Sequence, residues 1–187
     1  MMKFRAIVMC DQQYAIGKDG NQPIHLKQDL QRFKDITSNQ IVICGRKTLE
    51  TFPNKKPLPN RINLILSSQD TIENVNEPNK IIHSKQDAIN ECTKIIHELK
   101  KKPIISRPND INIVNIIGGE SIYKLFSDEI DEVWLTKVYI NFENPDKFFP
   151  INLLSAKYES IYSHYEYDRT SNGWLYPTEF IIYRKRK

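Results

Sequence analysis

Four short stretches carry side chains whose types and spacing suit chemistry. The first is IIGGESIY, Ile116 to Tyr123, where an apolar run ends in Gly118-Gly119 and a helical pattern follows at once. Paired glycines let the backbone approach a ligand closely, and a helix start offers free N–H groups and a positive dipole end to an anion. The spacing is not the GxGxxG fingerprint, so an ordinary dinucleotide-binding βαβ unit is not indicated. The second is CGRKTLE, Cys44 to Glu50, which again passes from an apolar run into a helix. Arg46, Lys47 and Thr48 gather at that helix start, where cations oppose the dipole unless an anion lies between them. The third is ILSS, Ile65 to Ser68, with two hydroxyls closing a strand. Taken singly, each has a structural reading: steric relief at a turn, solvated surface charge, a polar strand end. Three anion-friendly strand ends in one chain favour a bound anion.

The fourth signal is one acid, Asp29, in HLKQDLQRFK. Leu26, Leu30 and Phe33 make the apolar face of that helix, and Asp29 borders it. An acid in a first helical turn is ordinarily a surface residue that complements the dipole. Partly buried beside apolar side chains, it would instead titrate above the usual range and could take part in proton chemistry.

The elements that position these groups follow from the hydrophobic pattern. Strands are expected at Phe4–Cys10, Gln40–Cys44, Ile62–Ser67, Lys80–His83, Ile111–Ile117, Glu132–Val138, Tyr158–Tyr165 and Thr178–Arg184. Runs such as IVIC, NLIL and IVNII are continuous, as central parallel strands covered on both faces should be. Helices are expected at Leu26–Thr37, Lys47–Thr51, Gln86–Lys101 and Glu120–Phe126, the third with Ser84 as N-cap. The alternation predicts an α/β fold with a mainly parallel sheet, closed by an antiparallel pair because no helix separates the last two strands. Asp11–His25 and Lys100–Asp110 read as loops. The first lies at a strand's C-terminal end, where open parallel sheets build ligand sites.

The 187 residues suit a single domain spanning 1–187, with 40% hydrophobic and 27% charged residues. That balance excludes a disordered tail, a collagen-like fibre and a disulfide scaffold. Cys10, Cys44 and Cys92 sit in or beside apolar patterns, as buried reduced thiols of a cytoplasmic protein would. The scattered histidines have no zinc spacing, so no metal is expected. No signal peptide or membrane span is apparent. The net charge of +4 is spread out, without the basic stripe of a nucleic-acid binder, and the terminal RKRK reads as a solvated tail.

The order of motifs resembles dihydrofolate reductase along nearly the whole chain: IVMCDQQYAIGKDG, PIHLKQDLQRFK, CGRKTLE, PLPNRINLILSS, IIGGESIY, VWLTKV and FFP. The resemblance implies an eight-stranded α/β fold with helices on both faces and an antiparallel C-terminal strand. It implies NADPH as hydride donor, 7,8-dihydrofolate as substrate and tetrahydrofolate as product, supplying one-carbon metabolism. A monomer is expected from the family.

Residue by residue, the resemblance makes Asp29 the pocket carboxylate that binds the pterin and assists protonation of N5. Thr136 would hydrogen-bond both the acid and the pterin. Ile7 and Ile117 would face the pterin and nicotinamide with their carbonyls, and Met9 would line the floor. Leu30, Phe33 and, more loosely, Phe52 would wall the pterin and p-aminobenzoyl groups, with Tyr123 nearby. Arg61 would clamp the folate α-carboxylate. On the cofactor side, Ile16 and Gly17 would contact the nicotinamide. Gly118, Gly119, Ser121 and Ile122 would form the pyrophosphate turn. Gly45, Arg46, Lys47, Thr48, Leu66, Ser67 and Ser68 would border the remaining phosphates, and Arg46 with the serines would favour the 2′-phosphate.

The chain also departs from the pattern. Gln22-Pro23-Ile24 stands where Leu-Pro-Trp is usual, Lys27 replaces a common proline, and Glu143-Asn144-Pro145 replaces a glycine turn. Ile24 cannot donate a hydrogen bond, so slower or rerouted proton delivery is one expectation. A related reductase acting on another heterocycle, a non-catalytic homologue and a fusion to thymidylate synthase are the alternatives. The retained Asp29, Thr136 and Arg61 weigh against the first two.

Overall fold

A computed structural model describes residues 1–102, 111–154 and 156–186. Among the described residues, ten strands run in chain order: β1 Lys3–Cys10, β2 Ala15–Gly17, β3 Ile41–Gly45, β4 Ile62–Leu66, β5 Lys80–Ile82, β6 Ile113–Ile116, β7 Ile130–Val138, β8 Lys147–Phe148, β9 Tyr158–Arg169 and β10 Leu175–Lys185. The helices are α1 Lys27–Thr37, α2 Arg46–Leu49, α3 Lys85–Lys101 and α4 Glu120–Leu125. Eight strands form one sheet in the order β5-β4-β3-β6-β1-β7-β10-β9, and β2 pairs with β8 in a separate ribbon.

The first six strands of that order are parallel neighbours. The C-terminal strand β10 enters antiparallel between β7 and β9. The expected α/β sheet with its antiparallel C-terminal strand is therefore the observed one. Burial explains the parallel part: β3 is buried at four consecutive positions, as a strand covered on both faces must be. On one face Ala6, Ile43 and Val114 pack against Ala88, Cys92 and Ile96 of α3 and Phe126 after α4. On the other, Val42, Cys44 and Ile65 pack with Leu49 of α2 and Phe33 of α1. The Ser84 side chain caps α3 by accepting from Asp87 N at 3.1 Å.

Element ends differ where polar side chains conceal the pattern. The last two strands run past the expected Tyr158–Tyr165 and Thr178–Arg184, because Glu166, Tyr167, Asp168 and Arg169 continue the ladder with β10. α2 begins at Arg46, directly after β3, and ends at Leu49 rather than Thr51. β7 begins at Ile130, two residues before the expected Glu132, because Ile130 pairs with Phe4 across a register shift. The expected loop Asp11–His25 contains β2, whose partner is too short to register as a pattern. Most of the expected loop Lys100–Asp110 lies outside the described residues; Lys100 and Lys101 end α3.

Candidate active site

The parallel strands point their C-terminal ends into a cleft of about 1180 Å³. Every site residue that the motifs and the resemblance single out borders it, from Ile7 on β1 to Thr136 on β7. The motifs lie far apart in the chain, and the parallel topology brings their strand ends to one edge.

Asp29 stands at one end, in the first turn of α1. The helix begins without a local side-chain cap, because Leu26 occupies the N-cap position. Its cap comes from the far end of the chain: Asp168 on β9 accepts from Gln28 N and Asp29 N, both at 2.9 Å. This buried carboxylate, 1% exposed, therefore fixes the backbone that carries Asp29. No local signal could reveal a partner so distant in sequence; the apolar N-cap is the only hint.

Burial pushes the Asp29 carboxyl above the ordinary carboxylate range. A hydrogen bond with Thr136 and the Arg32 charge pull it back, while the charges of Asp168 and Glu166 add to the rise. The site thus holds one acid in a poor environment for its charge. Leu30 remains 45% exposed because it faces the open cleft rather than the core.

Behind the acid, Tyr123 donates its hydroxyl to the Ile7 carbonyl at 2.6 Å. The ring packs edge-on against Phe149 at 5.0 Å, so Tyr123 serves here as a buried brace of β1. Gly118 adopts φ +112°, a conformation that side-chain-bearing residues avoid. A Cβ on Gly119 would come within 3.3 Å of Thr48 Oγ1. The two glycines thus let the β6–α4 turn lie close to the start of α2, and the peptide bond between them is cis. Arg46 is engaged by Glu50 one helical turn away, in a partly exposed pair open to exchange with solvent or ligand.

Elsewhere on the cleft wall, Arg61 is held in place by a side-chain hydroxyl and a backbone carbonyl. It donates Nε to Thr37 Oγ1 at 2.7 Å and Nη1 to the Pro59 carbonyl at 2.6 Å. Its segment is anchored by buried Asn63, which donates to the Leu58 carbonyl at 2.9 Å and accepts from Leu58 N at 3.1 Å.

The loop after β1 is tied down more firmly than its glycines suggest. Asp11, fully buried, accepts from Gln13 N, Ala15 N and Phe142 N, each at 2.8 Å. The β2–β8 ribbon adds Asp146 N to Gly17 O at 3.1 Å and Phe149 N to Tyr14 O at 2.8 Å. Asn144 supplies a positive φ of 47° where a glycine turn is usual. Ile24 is buried with Met9, Leu26 and Val138, and Gln22 presents its amide near Met9 Sδ at 3.7 Å. Lys27 begins α1 and is exposed.

Fold and cleft together define an α/β protein whose ligand site combines phosphate-type donors with an acid, Asp29, of raised proton affinity. A sequence model of the family described as dihydrofolate reductase matches residues 3–185. The dihydrofolate reductase of Bacillus subtilis is 30% identical over 180 residues, covering 96% of this chain and 93% of that protein. That of Staphylococcus aureus is 33% identical over 149 residues, covering 80% and 79%. An insect relative, from Aedes albopictus, is 32% identical over 160 residues, covering 80% of each chain. A solved structure, dihydrofolate reductase from Enterococcus faecalis complexed with NADP(H) and RAB-propyl, superposes with a TM-score of 0.76. It is 24% identical, covers 99% of this chain and 97% of that one, and bears on the fold. The chain belongs to the dihydrofolate reductase family.

Proposed function

We infer that this chain reduces 7,8-dihydrofolate to tetrahydrofolate with NADPH, the activity for which its family is named. The observation that carries the reading is Asp29, an acid of raised proton affinity hydrogen-bonded by Thr136, in a cleft whose other walls offer phosphate donors and a fixed guanidinium.

NADPH suits the donor set. The Gly118-Gly119 turn is bare of side chains, and Thr48, Ser67, Ser68 and Ser121 border the same end with Arg46 and Lys47. Hydroxyls and cations together match a phosphate chain and a 2′-phosphate. Ile16, Gly17, Gly45, Leu66 and Ile122 would form the apolar and backbone surfaces around it. When bound, the cofactor supplies the hydride, so the protein needs no nucleophile.

The chain's own residues orient the substrate and manage one proton. Asp29 accepts hydrogen bonds from the pterin amino group and ring nitrogen, and its Thr136 contact fixes the carboxylate plane. Ile7 and Ile117 offer carbonyls, while Met9, Leu30, Phe33 and Phe52 exclude water around the ring system. Arg61, already ordered by Thr37 and Pro59, has little conformational freedom left to lose on binding the glutamate carboxylate. N5 gains its proton with Asp29 as the acid that favours it, since burial gives this carboxyl an unusual proton affinity. The cleft draws all these groups from one chain, which supports a monomer as the working unit. Three buried free thiols, each pushed up to about 12, support a reducing compartment.

The test is loss of NADPH absorbance with dihydrofolate. Wild-type chain should turn over, and Asp29→Asn should be slower by about 10²- to 10⁴-fold at neutral pH. Wild-type rates in that variant would remove Asp29 from the mechanism. Tight cofactor binding without turnover in the wild type would point to another substrate.

A further inference from the structure

Arg32 lies three residues after Asp29 on the same face of α1 and also borders the cleft. In the sequence it resembles any solvated helix charge. In the fold it is tied on two sides: it pairs with Glu166 of β9, and its guanidinium stacks over the Phe180 ring of β10 at 4.4 Å. Both partners of the pair are shielded, with side chains 22% and 17% exposed. Arg32 Nη1 is buried and has no hydrogen-bond partner among the described residues. A guanidinium held this way, with one arm uncommitted, depends on nearby negative charge to remain buried.

We propose that Arg32, paired with Glu166 and braced on Phe180, is a positioning residue whose charge stabilises the ionised Asp29 carboxylate and sets the pH at which the site changes its proton. The proposal rests on the reading of Asp29 as the working acid. It assigns Arg32 no contact with substrate or cofactor. Arg32 acts through Asp29 by its charge, and Glu166 limits that action by neutralising Arg32 and by repelling Asp29 directly.

The charges around Asp29 come from several elements. Arg32 on α1 favours its ionised form, Asp168 and Glu166 on β9 oppose it, and Thr136 on β7 hydrogen-bonds it. Cys10 on β1 and Tyr123 near it on α4 also sense Asp29, but burial keeps both neutral across the working range. Among the described residues, Arg32 is the cation of this group, so its removal has a definite sign.

The experiment follows the ¹³C carboxyl titration of Asp29 in the ligand-free chain, assigned by its disappearance in Asp29→Asn, together with the pH profile of kcat/KM. Arg32→Met should raise the Asp29 midpoint by about one pH unit, the low end for loss of a nearby opposite charge. Glu166→Gln should lower it, and the double variant should lie between the two. The kinetic midpoints should move in the same directions. Arg32→Lys should restore most of the shift, because charge rather than fork geometry is required. Thermal unfolding and NADPH binding confirm that each chain is folded; if Arg32→Met does not fold, Arg32→Lys and Glu166→Gln carry the test. An unchanged Asp29 midpoint in folded Arg32→Met, or in folded Glu166→Gln, overturns the proposal, as do shifts of the same sign in both. Because the titration needs neither substrate nor turnover, it separates this inference from the assignment of activity. Wild-type turnover in Asp29→Asn would overturn the latter alone.

Discussion

At the scale of single residues, Asp29 shows how function and stability oppose each other. Its carboxyl is held above the unfolded value of about 3.9, chiefly by burial. Between the unfolded and folded values the native chain binds more protons than the unfolded one, so this group's contribution falls as pH rises. Above the folded value the full penalty of a buried charge is present. Asp29→Asn removes that penalty, so the variant should melt at a higher temperature than wild type at neutral pH. The difference should vanish below about pH 4, where Asp29 is neutral in both states. Thermal unfolding at several pH values checks this, and equal melting temperatures throughout would mean the site tolerates the charge freely. The identity of the acid was legible in HLKQDLQRFK; its environment was not, because Thr136, Asp168 and Glu166 reach it from strands more than a hundred residues away.

At the scale of elements, α1 depends on a cap that does not belong to it. Asp168 accepts from two first-turn N–H groups and is itself sealed from solvent. Asp168→Ala should lower stability by about 0.5–2 kcal/mol, the range for loss of a helix cap, as read by denaturant unfolding. It should also reduce kcat, because the first turn that carries Asp29 would fray. Asp168→Asn, which retains an acceptor oxygen, should recover part of both. An effect on stability alone would leave Asp168 a structural residue with no bearing on the acid. The sequence placed α1 correctly from its apolar face, and the Gly-Gly turn from its strand-to-helix switch. It could not find the β2–β8 ribbon, whose strands of three and two residues are fixed by pairing rather than by any periodicity of their own.

At the scale of the whole molecule, the cleft is bounded by β1, β3, β4 and β7, by the turn after β6 and by segments from much of the chain's length. A ligand that fills it would touch several of these elements at once. NADPH at 100 times its dissociation constant should therefore stabilise the fold by about 2.7 kcal/mol, read as a rise in melting temperature that grows with cofactor concentration. No rise would exclude the cleft as its site. The class of fold was readable in the chain alone, since near-continuous apolar strands alternating with helices have few solutions beyond a covered parallel sheet. The sequence also singled out Gly118-Gly119, Arg46 to Thr48 and Asp29 through residue type and local spacing alone, and all of them border the cleft. How those groups are capped and braced emerged from the folded arrangement. Asp168 on α1, Glu166 on Arg32, Tyr123 on Ile7 and Asp11 on Phe142 are pairings across more than a hundred residues. Such contacts are set by which strands the sheet brings side by side, and local propensity contains no record of that order.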